Sequence, residues 1–194
     1  MTMKIQKEKN KFIIEEALPL QQFKALTDMF LVNDFPWFFG EVVRSEDTDP
    51  KNKNYNFHFS HTFHNFSQVA TDTEKWNIIK YAVVDFLNPL SFIRIKSNLL
   101  LRTSTPIVHG FHVDTICPSC LTAIIYLNDN NGFTLFEDGT KIQSKANRMA
   151  IFPSFLKHSG STCTDITRRI VLNINYIPFA NDRFAEVLNK KEKI

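Results

Sequence analysis

The sequence predicts a single, mostly β domain in which helices pack outside a sandwich or barrel. The chain has 194 residues, the size of one ordinary domain. From Ser91 onward, short apolar runs rich in β-forming residues recur, and turn signals such as Asn128–Gly132 and Glu137–Gly139 separate them. The 19 phenylalanines suit a core of large rings between sheets better than a helical bundle. These features together favour a sandwich or barrel.

The chain begins with a charged lead-in and a first predicted helix. We expect residues 1–11 to be solvated, and likewise the charged tail at Lys190–Lys193. After Leu18-Pro19, apolar residues at helical spacing predict a helix that ends near Leu31; these are Phe23, Leu26, Met29 and Phe30.

A second helix is predicted beyond the polar loop Ser45–Lys53. The segment Thr71-Asp72-Thr73-Glu74 is typical of a helix start. Apolar residues follow at helical spacing up to Pro89, namely Trp76, Ile79, Val83, Phe86 and Leu87.

The remaining chain is predicted to form six strands without internal repeats. Each is a short apolar run bounded by turn residues. The predicted strands are Phe92–Leu101, Ile107–Val113, Leu121–Leu127, Phe133–Phe136, Met149–Phe152 and Arg169–Ile177.

Composition excludes several classes of function. The five glycines are scattered, so neither a phosphate-binding loop nor a dinucleotide fingerprint is present. No apolar run reaches the length of a membrane span, and the N-terminus is a poor signal peptide. A net charge of +3 does not indicate a nucleic-acid surface, although it does not exclude one. Three cysteines predict a reducing compartment, which we take to be the cytoplasm.

A metal site is suggested by His112 and Asp114. On a strand, residues two apart point to the same face, so this pair presents an imidazole and a carboxylate side by side. Alone the pair is weak evidence, because His-x-Asp is common by chance. His158 follows in a polar stretch, and Arg168 and Arg169 begin an apolar strand. Two histidines and one carboxylate bind one face of iron and leave positions open, and the same ligands also suit zinc in a hydrolase.

This order of residues resembles the 2-oxoglutarate- and iron(II)-dependent oxygenases. Residues 122–128, which end in Tyr-Leu-Asn, are similar to a family strand, and Asn131-Gly132-Phe133-Thr134 resembles its Gly-Gly-x-Thr turn with Asn in place of the first Gly. Residues 146–152 resemble the strand that enters the second metal histidine. The likeness covers about residues 92–177 and is greatest to prolyl 4-hydroxylase-like members, especially compact ones carried by bacteriophages.

The resemblance implies a fold, a metal and a reaction. The fold is a double-stranded β-helix (jelly roll) with N-terminal supporting helices. The implied metal is Fe(II), held by His112, Asp114 and His158. The implied reaction uses 2-oxoglutarate and O2, releases succinate and CO2, and hydroxylates a substrate; ascorbate is a further cofactor that the resemblance allows. A phage-encoded member would act in the host cytoplasm.

Alternation along the last strand selects the cosubstrate arginine. Arg169 shares a face with Val171, Asn173 and Asn175, whereas Arg168 belongs to an apolar stripe that suits packing under helices. We therefore expect Arg169 to clamp the far carboxylate of 2-oxoglutarate, with Arg168 as the alternative if the register is shifted by one residue.

Two further residues are candidates for the cosubstrate site. In one interpretation, the hydroxyl of Tyr126 reaches the far carboxylate of 2-oxoglutarate. In the other, Tyr126 is a core residue whose hydroxyl bonds within the protein. Asn173 is expected to lie behind the metal ligands.

Two conspicuous patterns are not expected to bind metal. Cys117 and Cys120 have the spacing of a zinc site, but Cys163 is the sole further cysteine, so a structural role is favoured. Among His58, His61 and His64, strand alternation places His61 on one face and the other two on the opposite face. That strand, and His109, are candidates for lining the substrate mouth.

The sequence thus predicts one oxygenase domain over residues 1–194. Residues 18–90 are helical support with strands, residues 91–178 are the jelly-roll core, and residues 179–194 are a tail. Peptidyl proline is the leading substrate, so the expected partner is a peptide or protein. The alternatives are an oxygenase acting on nucleic acid or a small molecule, and a non-catalytic metal-binding jelly roll.

Overall fold

The computed structural model describes residues 4–32, 34–42 and 49–188. The predicted tail Lys190–Lys193 and residues 45–48 of the predicted polar loop lie outside these ranges, and Pro50–Tyr55 forms a short 3-10 helix. The helices are α1 (Leu20–Leu31) and α2 (Thr73–Leu87). The strands are β1 (Lys4–Glu8), β2 (Lys11–Glu15), β3 (Phe38–Gly40), β4 (His58–Asn65), β5 (Gln68–Val69), β6 (Pro89–Leu101), β7 (Leu121–Tyr126), β8 (Phe133–Phe136), β9 (Lys141–Gln143), β10 (Met149–Pro153), β11 (His158–Gly160) and β12 (Arg168–Pro178).

Two antiparallel sheets form the β core. The large sheet has the strand order β1-β2-β10-β7-β12-β6-β4-β3, with β5 paired to β4, and the small sheet has the order β11-β8-β9. This mostly β arrangement confirms the predicted jelly-roll core with helices from the N-terminal half. No helix in the described part of the chain has the length and apolar character needed to cross a membrane.

Both predicted helices are present and have identifiable ends. Asp72 caps the N-terminus of α2, where its carboxylate accepts a hydrogen bond of 2.9 Å from the Lys75 amide. Asn88 ends α2 in the left-handed conformation with φ 42°, and its N–H donates to the Val84 carbonyl. Both helices pack on the large sheet through buried residues, which are Leu26, Met29, Phe30, Ile79, Ala82, Val83 and Leu87.

Strand alternation gives the large sheet two different faces. On β12 the stripe Ile170, Leu172, Ile174 and Tyr176 packs in the core under the helices, as predicted. The alternate residues of β7 and β12, including Ile124 and Val171, face the small sheet. Because a strand presents every second residue to one side, the same two strands fill the helix core and line the space between the sheets.

The charged lead-in is largely exposed over β1, as predicted, but it forms a β-hairpin and buries Lys11, neither of which was predicted. β1 pairs with β2, and β2 pairs in turn with β10 at the edge of the large sheet. The side chain of Lys11 is only 1% exposed, and its Nζ lies 2.7 Å from Asp138 Oδ2. A charged segment is held here because Phe12 and Ile14 are buried and Asp138 neutralises the lysine.

The segment Ile107–Val113 is not a strand, contrary to prediction. Two isolated bridges, Val108 with Ser161 and His112 with His158, provide its β pairing. The facing strand β11 is three residues long, so no continuous ladder can form against it.

The prediction that His58 and His64 share a face is also wrong. The pairing of β4 with β6 shifts between Thr62 and His64, which marks an irregularity of the β-bulge type. An extra residue reverses the alternation beyond it. His64 therefore stacks on Trp76 of α2, with ring centroids 5.5 Å apart, whereas His58 faces the space between the sheets.

Candidate functional site

A polar cavity opens between the two sheets. Its floor is the ladder between β6 and β12, in which the cross-strand pairs are Arg94–Asn175, Lys96–Asn173, Asn98–Val171 and Leu100–Arg169. The lining residues include three cationic side chains, Arg94, Lys96 and Arg169, and one carboxylate, Asp114. The face toward the cavity carries most of the ladder's polar side chains, of which Arg94, Lys96 and Asn98 are half-buried.

His112, Asp114 and His158 converge in this cavity. One potential ligand atom from each lies within 4.8 Å of the others, and this is the one such group of three among the described residues. The two histidines are held together by reciprocal backbone hydrogen bonds of 3.0 Å between His112 and His158. The Asp114 amide donates to the Ser154 carbonyl at 3.1 Å. Thus the bridge to β11 and the end of β10 position all three side chains.

Backbone carbonyls orient the two imidazole rings. His158 Nδ1 lies 2.9 Å from the Leu156 carbonyl, and His112 Nδ1 lies 3.4 Å from the Gly110 carbonyl. With a proton on Nδ1, each ring has its lone pair on Nε2, which points away from the backbone carbonyl. His158 Nε2 lies 3.6 Å from Asp114 Oδ2, so this lone pair faces the third member of the group.

Asp114 is buried yet held ionised. Burial raises the pKa of Asp114. The charges of His158, Arg94 and His112 and the hydrogen bond from Asn173 together outweigh this effect and lower the pKa to about 2. Arg94 Nη2 lies 2.7 Å from Asp114 Oδ1. Thr122 Oγ1 donates to Oδ2 at 2.9 Å. These contacts fix the rotation of the carboxylate.

The donor set fits a divalent transition metal. Burial, followed by the charge of His158, lowers the pKa of His112, so this imidazole is neutral at neutral pH. Asp114 is ionised under the same conditions. Two histidines and one carboxylate on one side of an ion are the ligands of non-haem Fe(II) sites. His112, Asp114 and His158 are thus chemically suited to hold iron.

Arg169 lies at the other end of the cavity floor, as its alternation predicted. It is 3% exposed, its Nε donates to Ser144 Oγ at 2.8 Å, and its Nη2 donates to Thr134 Oγ1 at 3.3 Å. No carboxylate pairs with it among the described residues. Burial lowers the pKa of Arg169, because the guanidinium is desolvated without a counter-ion. Such a group fits the carboxylate of a bound ligand.

Two glycines make room for the Arg169 side chain. A Cβ at Gly132 would lie 2.6 Å from Arg169 Cδ, and a Cβ at Gly160 would lie 3.4 Å from Arg169 Nη1. Glycine is therefore required for steric reasons at position 132, because the turn that resembles the family motif passes directly over Arg169.

The remaining cosubstrate candidates occupy different positions. Tyr126 is fully buried and absent from the cavity lining. Its hydroxyl donates to Thr134 Oγ1 at 2.9 Å, and its ring centroid lies 5.6 Å from Cζ of Arg169. Asn173 Nδ2 lies 3.2 Å from Asp114 Oδ2. This position agrees with the expectation that Asn173 lies behind the metal ligands. Arg168 is half-buried and outside the cavity lining.

The other sequence patterns lie outside the proposed ligand group. Cys117, Cys120 and Cys163 are free thiols, and burial raises the pKa of Cys120 to about 12. His61 is buried between the Pro36 carbonyl and the Thr71 hydroxyl. His58 lines the cavity; His109 is buried beside Gly160.

Sequence reasoning missed the residues that hold Asp114. Arg94 pairs with Asp114 and donates through Nε to Asn175 Oδ1 at 3.1 Å. Thr122 accepts from Asn175 Nδ2 at 2.9 Å and contacts Ser154. A signal was present, because polar residues alternate with core residues along β6, as Arg94, Lys96 and Asn98 do.

Comparisons with solved structures agree on the fold. An oxidoreductase of the 2OG-Fe(II) oxygenase family from Burkholderia pseudomallei matches with a TM-score of 0.61 and 11% identity, over 87% of this chain and 86% of that one. A Trichoplax adhaerens prolyl hydroxylase, in complex with a hypoxia inducible factor peptide fragment, matches with a TM-score of 0.59 and 12% identity, over 94% and 88% of the chains.

A non-heme alpha ketoglutarate dependent epimerase, SnoN from nogalamycin biosynthesis, matches with a TM-score of 0.57 and 12% identity, over 88% and 79% of the chains. No protein-family model and no curated protein matches the sequence. The chain therefore has the fold of 2OG-Fe(II) oxygenases.

Proposed function

We propose that this protein is a 2-oxoglutarate- and Fe(II)-dependent dioxygenase that hydroxylates its substrate. The observation that carries the proposal is a single cavity with two complementary sites. His112, Asp114 and His158 meet within 4.8 Å at one end, and the buried guanidinium of Arg169 lies at the other. A metal and a dicarboxylate are the ligands that these two sites suit.

His112, Asp114 and His158 would hold the iron. When bound together with 2-oxoglutarate and O2, Fe(II) supplies the oxidative decarboxylation that yields succinate and CO2 and transfers one oxygen atom to the substrate. The chain provides orientation. Arg94 and Thr122 fix the rotation of the Asp114 carboxylate, so this ligand would be oriented before the metal binds.

Arg169 would position the cosubstrate. Its Nε and one Nη bond to Ser144 and Thr134, which fixes the plane of the guanidinium. A guanidinium in a fixed plane binds a carboxylate through two parallel hydrogen bonds. Leu100, Ile124 and Val171 line the cavity between Arg169 and the metal ligands, and they exclude water from the cosubstrate's carbon chain.

We propose a peptide or protein as the substrate, with peptidyl proline as the leading target. The support is the similarity in fold to a prolyl hydroxylase that binds a peptide fragment, together with the sequence resemblance to prolyl 4-hydroxylase-like proteins. The cavity is open to the surface, which allows a chain segment to approach the metal ligands.

The test is conversion of labelled 2-oxoglutarate to succinate by the purified protein, with and without Fe(II). A panel of proline-containing peptides, free amino acids and nucleotides is screened by mass for a gain of roughly 16 Da, one oxygen atom. We expect iron-dependent conversion that is lost in His112→Ala and His158→Ala. The matched control is His64→Gln, which changes a histidine on the opposite face of the sheet.

Two outcomes contradict the proposal. Full activity in either alanine variant rejects the ligand assignment. Tight iron binding without 2-oxoglutarate consumption on any member of the panel instead supports a non-catalytic metal-binding jelly roll.

A further inference from the structure

Lys96 is a cation in the cavity without an anionic partner among the described residues. It lies on β6 directly opposite Asn173 of β12 and lines the cavity. Its one hydrogen bond in that part of the chain joins Nζ to Nε2 of His58 at 3.2 Å. Burial, followed by the charge of Lys96, lowers the pKa of His58 to about 3, so the imidazole is neutral and accepts from the ammonium. Two of the three N–H donors of Lys96 thus remain for a ligand.

The cavity stays positively charged after the metal and the cosubstrate bind, and Lys96 is the cation left without an assigned partner among the described residues. Arg94 pairs with Asp114, and Arg169 is assigned to the far carboxylate of 2-oxoglutarate. The two positive charges of Fe(II) and the two negative charges of 2-oxoglutarate cancel. Among the described lining residues, the cations then exceed the carboxylates by two. A half-buried ammonium of this kind attracts an anionic group.

We propose that Lys96, oriented by His58, binds a carboxylate of the primary substrate. The inference rests on the proposed oxygenase function and specifies its substrate class. An acidic side chain next to the hydroxylated residue of a peptide supplies such a group, and so does the carboxylate of a free amino acid.

The position of Lys96 separates this role from cosubstrate binding. Asn173, its cross-strand neighbour, is four residues beyond Arg169 on β12, or about 13 Å along the strand. Lys96 therefore lies beside the metal-ligand end of the cavity, on the side toward β4. A carboxylate fits better than a phosphate, because the described lining residues include neither a helix N-terminus nor a glycine-rich loop of free backbone amides.

The cost of burying Lys96 supports a ligand-binding role. Burial, followed by the charge of Arg94, lowers the pKa of Lys96 to about 8, and Asp114 opposes this shift. A bound carboxylate restores favourable electrostatics at this ammonium.

The experiment compares matched carboxylate and carboxamide probes on the loaded protein. Calorimetric titrations are made without oxygen, on wild type, Lys96→Met and the exposed control Lys4→Met. The peptide arm uses end-blocked tetrapeptides in which proline neighbours Glu or Gln; the free-acid arm uses proline and prolinamide. The first titration in each series measures Fe(II)-dependent 2-oxoglutarate binding.

We expect the carboxylate probe of at least one arm to bind wild type roughly tenfold or more tightly than its amide, because hydrogen bonds to charged groups are strong. Lys96→Met should lose this preference, and Lys4→Met should keep it. The arm that shows the preference identifies the source of the carboxylate.

Three results overturn the inference. The first is equal or undetectable binding of the carboxylate and the carboxamide probe in both arms. The second is a preference for the carboxylate probe that persists in Lys96→Met. The third is a large rise in the 2-oxoglutarate requirement of Lys96→Met, which would assign the lysine to the cosubstrate. Failure of wild type to bind 2-oxoglutarate with Fe(II) is a different result, because it rejects the proposed function itself.

Discussion

Arg168 and Arg169 are adjacent in sequence but have opposite environments. Arg169 is buried in the cavity with one edge bonded to Ser144 and Thr134, and Arg168 is half-buried outside it. The difference arises from strand alternation alone, since consecutive residues of β12 point to opposite faces of the large sheet. At this residue scale, the sequence was sufficient to predict which of the two arginines faces the cavity, and which of them binds 2-oxoglutarate stays a prediction.

Replacing these two arginines separates their roles. Arg169→Ala should raise the 2-oxoglutarate requirement roughly 30-fold or more, because a buried carboxylate that loses its charged partner costs about 2–5 kcal/mol. Arg168→Ala, the matched control, should change it little. The measurement is 2-oxoglutarate titration by decarboxylation rate. A large loss in Arg168→Ala with none in Arg169→Ala would reverse the assignment.

Gly132 should be intolerant of even a single methyl group. A Cβ there would lie 2.6 Å from Arg169 Cδ and 3.0 Å from the Thr162 carbonyl. Gly132→Ala should lower the free energy of unfolding by about 1–3 kcal/mol and weaken 2-oxoglutarate binding, since the arginine must shift. The control is Gly40→Ala, whose new Cβ has its nearest neighbour at 3.9 Å. Urea unfolding and calorimetry check both effects, and equal stability of the two variants would contradict the steric reason.

At the scale of elements, prediction succeeded where one local pattern determined the structure. The strands β7, β8, β10 and β12 lie within one residue of their predicted bounds, and α2 begins at its predicted cap. These elements carry apolar residues at a clear period of 2 or 3.6. The predicted ligand residues His112, Asp114 and His158 also meet in the fold.

Prediction failed where tertiary pairing determined the structure. Residues 4–15 form a hairpin because β2 pairs with the edge of β10. The local sequence of residues 4–15 contains no information about that distant edge. Likewise, Ile107–Val113 has the composition of a strand but faces the three-residue β11. The bulge in β4 reverses the face of His64 without any glycine or proline to mark it.

The N-terminal hairpin should depend on Asp138, which pairs with exposed Lys9 and with buried Lys11. Asp138→Ala leaves the Lys11 ammonium, 1% exposed, with Asn10 and the Phe136 ring, and should cost about 1–3 kcal/mol of unfolding free energy. Glu137→Ala is the control, since its pair with Lys157 is exposed and should be nearly neutral. Chemical denaturation measures both. Equal losses of unfolding free energy in the two variants would show that the pair of Asp138 with buried Lys11 stabilises the protein no more than an exposed pair does.

The same pair gives a pH dependence. Burial raises the pKa of Asp138, but hydrogen bonds from Lys11 and Thr140 outweigh it and lower the pKa below its usual value of 3.8. The stabilisation is therefore fully present above about pH 4 and declines as the pH falls below it. The Asp138→Ala variant should lack this part of the acid dependence.

At the scale of the whole molecule, the large sheet separates stability from function. Its helix-facing side holds the main apolar core, and its other side carries the cations of the cavity, whereas the candidate metal ligands come from β11 and from the segment before β7. Shared folds at 11–12% identity are consistent with this division, because the apolar periodicity that defines the sheet tolerates many sequences. We propose that substrate preference is determined on the polar side, where burial of the cations Lys96 and Arg169 carries a desolvation cost.

Lys96 provides a test of that division through stability alone. Its pKa is about 8 in the folded protein, against an ordinary value of 10.5, because of burial and the charge of Arg94, opposed by Asp114 and with neutral His58 as hydrogen-bond partner. Below pH 8 the lysine is charged in both states, so the folded state bears the full cost of desolvation. Lys96→Met should therefore raise the unfolding free energy of the unliganded protein by about 1–3 kcal/mol at neutral pH.

The pH dependence of this gain identifies its cause. Between pH 8 and 10.5 the unfolded wild type binds more protons than the folded state, so wild-type stability rises with pH and the advantage of Lys96→Met should shrink. Urea unfolding at neutral pH and at about pH 10, with Lys4→Met as the exposed control, measures the difference. A less stable Lys96→Met variant at neutral pH would mean that the lysine supports the fold. A more stable one, combined with lost carboxylate binding, would mean that the charge is kept for the ligand at the expense of stability.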